Sequence, residues 1–228
     1  MDCDCLEHQG PRGAISMHAH VQDTSTPAWK RLLELIDQAA DDGRELFAPA
    51  KELGWNLWSQ IHSLPHAIAK LTRVKHLLLY GSLLQRIPPE IGEMVGLEKL
   101  DPYTSYRLHW FPYEIIRCPR LAGSTVSTRA IYGNRKTLLP FPDLTAPSNA
   151  AALNLVRPGR CSVCRGPFRD EPLARWTSRR VATDTLPLLL FACSQQCVKD
   201  VPEAPDVYLP EPHTGGRSSQ LPRGDGYR

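Results

Sequence analysis

The chain has 228 residues, 42% hydrophobic and 22% charged, with a formal net charge of +3. That is the composition of a soluble protein with an adequate core in one large or two smaller domains, and the charge is too small to imply polyanion binding by itself. The longest apolar run, Leu186 to Cys193, is eight residues broken by Pro187, far short of the roughly 20 needed for a bilayer span.

The N-terminus reads Met-Asp-Cys-Asp-Cys, acidic where a secretory signal is basic and polar where it is apolar, so the expected compartment is the cytosol. In a reducing compartment the seven cysteines are read first as metal ligands, not disulfides. Residues 1–25 carry Cys3, Cys5, His8, His18 and His20 without apolar periodicity. Their spacing matches no common closed metal site, and the expectation is a flexible tail.

Residues 26–57 are expected to form a helical cap. Thr26 is a candidate N-cap, Pro27 suits the first helical position, and Trp29, Leu32, Leu33, Ile36 and Ala40 recur at helical spacing before Gly43. Between residues 58 and 145 one phrase is written three times: LPHAIAKLTRV from Leu64, IPPEIGEMVGL from Ile87 and FPYEIIRCPRL from Phe111. The prolines at 65, 88 and 112 set a period in the low twenties, which is the mark of a stacked solenoid. In the best copy Leu71, Val74, Leu77, Leu79, Leu84 and Ile87 take the inward positions, and Leu77 and Leu79 alternate with His76, Leu78 and Tyr80 as in a strand with one buried face.

Through Ile87, Pro88, Ile91, Gly92 and Leu97 the segment resembles the leucine-rich-repeat family in its IPxxIGxLxxL form. The resemblance implies an α/β fold: a right-handed coil whose parallel sheet lines a concave, partner-binding side. It would put Tyr80, Tyr103 and Thr104 on that side with Tyr106, His109 and Tyr113 nearby, and these six form the candidate surface for a protein partner. The family's ladder asparagine is replaced here by Ser82, with Tyr106 in the matching place of the next copy. Cys118 reads as a buried thiol. Residues 146–160 read as a connection.

Residues 161–201 contain Cys161-x2-Cys164 and, 28 residues later, Cys193-x3-Cys197. Two close cysteine pairs supply the four thiolates of a tetrahedral, structural Zn²⁺ site. Phe191, Cys193, Ser194 and Cys197 resemble zinc fingers ending in an FCSxxC element, with Ala192 inserted, which implies a small treble-clef or knuckle-like module. Seven arginines between 157 and 180 face only Asp170 and Glu171 in sequence. Among them Arg165, Arg169, Arg175, Arg179 and Arg180 are candidate phosphate contacts, so the alternative reading is a nucleic-acid-binding regulator. Residues 202–228, rich in proline and glycine, are expected to be an extended or disordered tail. No catalytic motif is present, and the expected function is a non-catalytic interaction scaffold.

Overall fold

The computed structural model describes residues 20–134, 140–145, 153 and 155–216. Within them the chain is a mixed α/β fold with a four-stranded parallel sheet and a three-stranded mixed sheet. The expectations for residues 1–19, for 135–139 of the repeat region, for 146–152 and 154 of the connection and for 217–228 of the C-terminal tail lie outside the described residues.

Helix α1 (Pro27–Asp42) begins where the Thr26 hydroxyl accepts the Trp29 N–H at 3.2 Å and ends at Gly43, whose φ of 65° an L side chain adopts only with strain. Its buried stripe is Ala28, Leu32, Leu35, Ile36 and Ala39. Of the expected stripe Leu32 and Ile36 are buried, whereas Trp29, Leu33 and Ala40 are only partly buried at its edge, where Ala28, Leu35 and Ala39 take the contact. Helices α2 (Pro49–Leu53) and α3 (Trp55–Trp58) follow. Ahead of α1, the end of the expected flexible tail is docked. The His20 ring stacks on His62 with centroids 5.0 Å apart, and Gln22 accepts the His62 N–H at 2.7 Å.

The repeated phrases supply successive elements of one body. Strands β1 (Leu46–Phe47), β2 (His76–Leu78) and β3 (Lys99–Asp101) pair in parallel, His76 opposite Lys99 and Leu77 opposite Leu100. The proline of each phrase opens a 3-10 helix, at His66–Lys70, Pro89–Glu93 and Tyr113–Arg117, and neighbouring 3-10 helices pack on one another. Leu77 and Leu100 from the sheet share a core with Ile68, Ile91 and Ile115 from the 3-10 helices. At Gly96 a Cβ would lie 2.4 Å from the Thr72 carbonyl oxygen, so only glycine permits the approach of successive copies there.

The neighbouring turns are tied by serines. The Ser105 hydroxyl accepts the Ser82 N–H at 3.2 Å and donates to the Leu79 carbonyl at 3.1 Å, so the 2.7 Å contact between the two hydroxyls is donated by Ser82. Ser127 repeats the arrangement by accepting the Thr104 N–H at 2.6 Å. The position matching Ser82 is therefore Ser105 and not Tyr106. The extra residue of the second copy falls after this point and leaves the ladder in phase.

Strand β4 (Phe111–Pro112) leaves the first sheet and pairs in parallel with β7 (Asp184–Ala192), which pairs antiparallel with β6 (Leu173–Val181). Strand β5 (Gly123–Ser124) closes the four-stranded sheet beside β3. Its Ser124 hydroxyl donates to Asp184 at 2.7 Å, and Thr183 donates to the Ser124 carbonyl at 2.7 Å, so the β6–β7 hairpin turn holds the last strand of the four-stranded sheet. Alternate residues of β7 enter two cores: Leu186, Leu188, Leu190 and Ala192 join the leucine core, while Leu189 and Phe191 join Trp110, Tyr132, Phe141 and Trp176. The C-terminal segment is extended but bound, with His213 bridging to Trp176 through N–H···O bonds of 2.8 and 2.9 Å.

Replacing Ser105 by Ala would leave the buried Ser82 N–H, the Ser82 hydroxyl and the Leu79 carbonyl without this partner, at roughly 1–3 kcal/mol for each group left unpaired. The expected loss for Ser105→Ala is about 2 kcal/mol or more in a urea titration, against less than about 1 kcal/mol for the exposed Tyr106→Ala.

Candidate functional site

Two arrangements carry chemistry: a four-sulfur cluster at the end of the β6–β7 hairpin, and a group of exposed tyrosines in the turns that follow strands β2 and β3.

The cluster is assembled from both ends of the hairpin module. Cys161 and Cys164 sit on a tight turn closed by the Arg165 N–H to the Cys161 carbonyl at 3.0 Å and the Cys161 N–H to the Gly166 carbonyl at 2.9 Å. Arg165 has φ 62°, the left-handed conformation that reverses the chain here. Cys193 follows β7 directly, and Ser194 caps α4 (Gln195–Lys199) by accepting the Cys197 N–H at 3.2 Å. Ser162 joins the halves: its N–H donates to the Phe191 carbonyl at 2.8 Å and its hydroxyl accepts the Phe191 N–H at 2.9 Å. Arg117, at the end of the 3-10 helix Tyr113–Arg117, donates to the Ser162 carbonyl at 2.7 Å and anchors the turn to that helix. Ser162 and Arg117 carry no metal-site signature in the sequence, since each acts through backbone groups.

The four sulfurs all lie within 4.8 Å of one another, and Cys193 is 3.6 Å from both Cys164 and Cys197. A disulfide needs about 2.05 Å. Metal–sulfur bonds of about 2.3 Å put tetrahedral sulfurs about 3.8 Å apart, so the cluster can hold a metal ion. Burial raises the Cys161 thiol, but the N–H groups of Cys164, Cys193 and Val163 outweigh it and bring the thiol down to about 7. Cys193 is pushed up to about 12, first by its hydrogen bond with Cys164 and then by that with Cys197. Four thiols at this spacing do not all ionise unless a cation neutralises them, a condition that a metal ion held by the four sulfurs would meet.

His213 lies against Phe141 and Trp176 and is no part of the cluster. Cys118 is buried, donates to the Ile91 carbonyl at 3.2 Å and is pushed up to about 12 by burial. It is a structural thiol.

The arginines divide between surfaces. Along β6 successive side chains alternate, so Arg175 and Arg179 share a face with Leu173 and Val181 while Arg180 points to the other. Arg179 donates to the Pro202 carbonyl at 3.0 Å and Arg180 to the Ala182 carbonyl at 3.1 Å, while Arg165 and Arg169 are exposed near the first cysteine pair. The five expected phosphate contacts do not lie on one strand face.

Of the expected partner surface, Tyr80, Tyr103 and Tyr106 are 55%, 45% and 38% exposed. The Tyr80 and Tyr103 rings lie side by side with centroids 6.0 Å apart, and the Arg129 guanidinium stands 5.9 Å from the Tyr106 ring. Thr104 is half-buried beside them with φ 62°. His109 and Tyr113 are not on this surface, being 6% and 4% exposed. His109 stacks on Tyr132 at 5.2 Å and bonds to the Ala130 carbonyl, and burial brings its ring down to about 4. Tyr113 opens a 3-10 helix and joins the leucine core. The extra residue after Ser105 shifts this stretch inward.

No helix among the described residues is long and apolar enough to cross a membrane. Compared with protein-family models and with curated proteins, the chain matches none.

Proposed function

We propose that this chain is a cytosolic, non-catalytic interaction scaffold: a short leucine-rich-repeat coil that binds a protein partner through its tyrosine surface and is closed by a structural zinc module. The observation that carries the reading is the exposed Tyr80–Tyr103 pair, in the turns that follow β2 and β3, with centroids 6.0 Å apart. Rigid aromatic side chains supply large contact area at low entropy cost, and they are enriched where binding energy concentrates. Their exposure beside the ends of two paired parallel strands suits the partner-contact role that the repeat resemblance implies.

Zinc is the ion that the donor set favours. Four thiolates are borderline-soft ligands, and their tetrahedral arrangement suits an ion without geometric preference of its own. With all four positions filled by Cys161, Cys164, Cys193 and Cys197, no site remains for water or substrate, so the ion's role is to hold the turn, the end of β7 and α4 together. The division of the arginines between surfaces gives the nucleic-acid reading no comparable support.

Affinity capture with the purified chain identifies the partner, and titration of that partner against Tyr80→Ala and Tyr103→Ala tests the surface. Each variant is expected to bind about tenfold or more weakly, corresponding to roughly 1.4 kcal/mol or more, with unchanged thermal stability. Unchanged affinity in both variants places the interface elsewhere. For the metal, elemental analysis is expected to find about one zinc per chain. Cys161→Ser and Cys197→Ser should each lose it and unfold at lower denaturant concentration; metal-free wild-type protein of the same stability removes the zinc assignment.

A further inference from the structure

We propose that Cys164 and Cys193 form a peroxide-sensitive dithiol that closes into a disulfide. Only the accompanying release of metal rests on the zinc reading above; the pairing rests on geometry.

The four cysteines are unequal in access. Cys161 and Cys197 are 0% and 6% exposed, whereas Cys164 is exposed and Cys193 partly so. A small oxidant therefore meets Cys164 first.

Cys193 stands 3.6 Å from Cys164, and bond formation at about 2.05 Å needs a closure of about 1.5 Å. Cys197 is equally near Cys193, at 3.6 Å. It is buried in the first turn of α4, held by the Ser194 cap, and out of reach of the oxidant.

The chemistry balances with a hydroperoxide as oxidant. The Cys164 thiolate attacks one peroxide oxygen, the O–O bond breaks, and the sulfur leaves as sulfenic acid with hydroxide as the first product. The Cys193 thiolate then attacks that sulfur, the S–O bond breaks, and a second hydroxide departs. The two electrons lost by the two sulfurs reduce the two peroxide oxygens, and two protons convert the hydroxides to water. Two of four ligands are thereby removed, and the buried Cys161 and Cys197 alone do not complete a tetrahedral site.

The test treats the full-length chain with stoichiometric hydrogen peroxide, alkylates the remaining thiols and maps cross-links by mass spectrometry without reduction. Trypsin cuts after Arg160, Arg165, Arg180 and Lys199, so the pair falls in peptides 161–165 and 181–199. The expected result is those peptides joined, with alkylation on Cys161 and Cys197, one metal ion released per disulfide, and reversal by dithiothreitol. A cross-link through Cys161 or Cys197, or oxidation confined to Cys3 and Cys5, overturns the pairing. Metal analysis before the peroxide step decides the zinc reading separately: a metal-free chain that still joins Cys164 to Cys193 refutes that reading and supports the dithiol.

Discussion

Strand β7 is hydrogen-bonded along both edges, to β4 and β6, and packed on both faces, in the leucine core and the aromatic one. Most strands in a two-layer protein can leave one face polar. This one cannot, and its run from Leu186 to Ala192 is accordingly apolar at every position. A polar or charged side chain anywhere in it would be buried without an evident partner in one core or the other. The repeat segment and the cysteine module are joined because they compete for, and share, the faces of this one strand.

That sharing solves the problem that three repeats pose. A short parallel sheet has open ends, and the stacked 3-10 helices expose apolar surface wherever the stack stops. On the N-terminal side α1 packs against the first 3-10 helix and fills the gap with small residues. On the C-terminal side β7 lies beside β4 where a further copy would continue, and the hairpin turn bonds to Ser124 of the last strand. The aromatic core, with Arg86 stacked on Trp110 at 4.0 Å, fills the corner between them. The module thus closes the C-terminal end of the four-stranded sheet and its 3-10 helices.

The period of the prolines and the alternation about Leu77 made the successive parallel strands legible, because both follow from local sterics and one-sided burial. The two cysteine pairs were legible because ligand spacing reports knuckle geometry directly. What remained hidden depends on contacts distant in sequence. Strand β4 is two residues long and its partner lies 77 positions away, Phe111 against Leu188, so no local pattern marks the pairing. The repeat pattern assigns the ladder place to Tyr106 and not to Ser105, because Ser105's role is to receive the backbone of the previous copy and leaves no local pattern. His109 and Tyr113 looked like surface because the extra residue in the second copy breaks the repeat's phase just before them. The same shift that misled the reading turns Trp110 into one core and Phe111 into the other.

The position of the four sulfurs gives the proposed metal a reach beyond its own ligands. Cys193 continues β7, Ser162 locks the first cysteine pair to Phe191, and Arg117 ties that pair to the third repeat. An ion bound only by the folded arrangement stabilises whatever unfolds together with it. Because Cys161 and Cys197 lie in the same core as the repeat leucines, that unit includes the C-terminal end of the four-stranded sheet. The tyrosines follow strands of the sheet whose last strand the same hairpin holds. On the proposed readings, order at the tyrosine surface and occupancy of the sulfur cluster would be coupled through β7, and oxidation of Cys164 and Cys193 would act on the hairpin that holds that last strand.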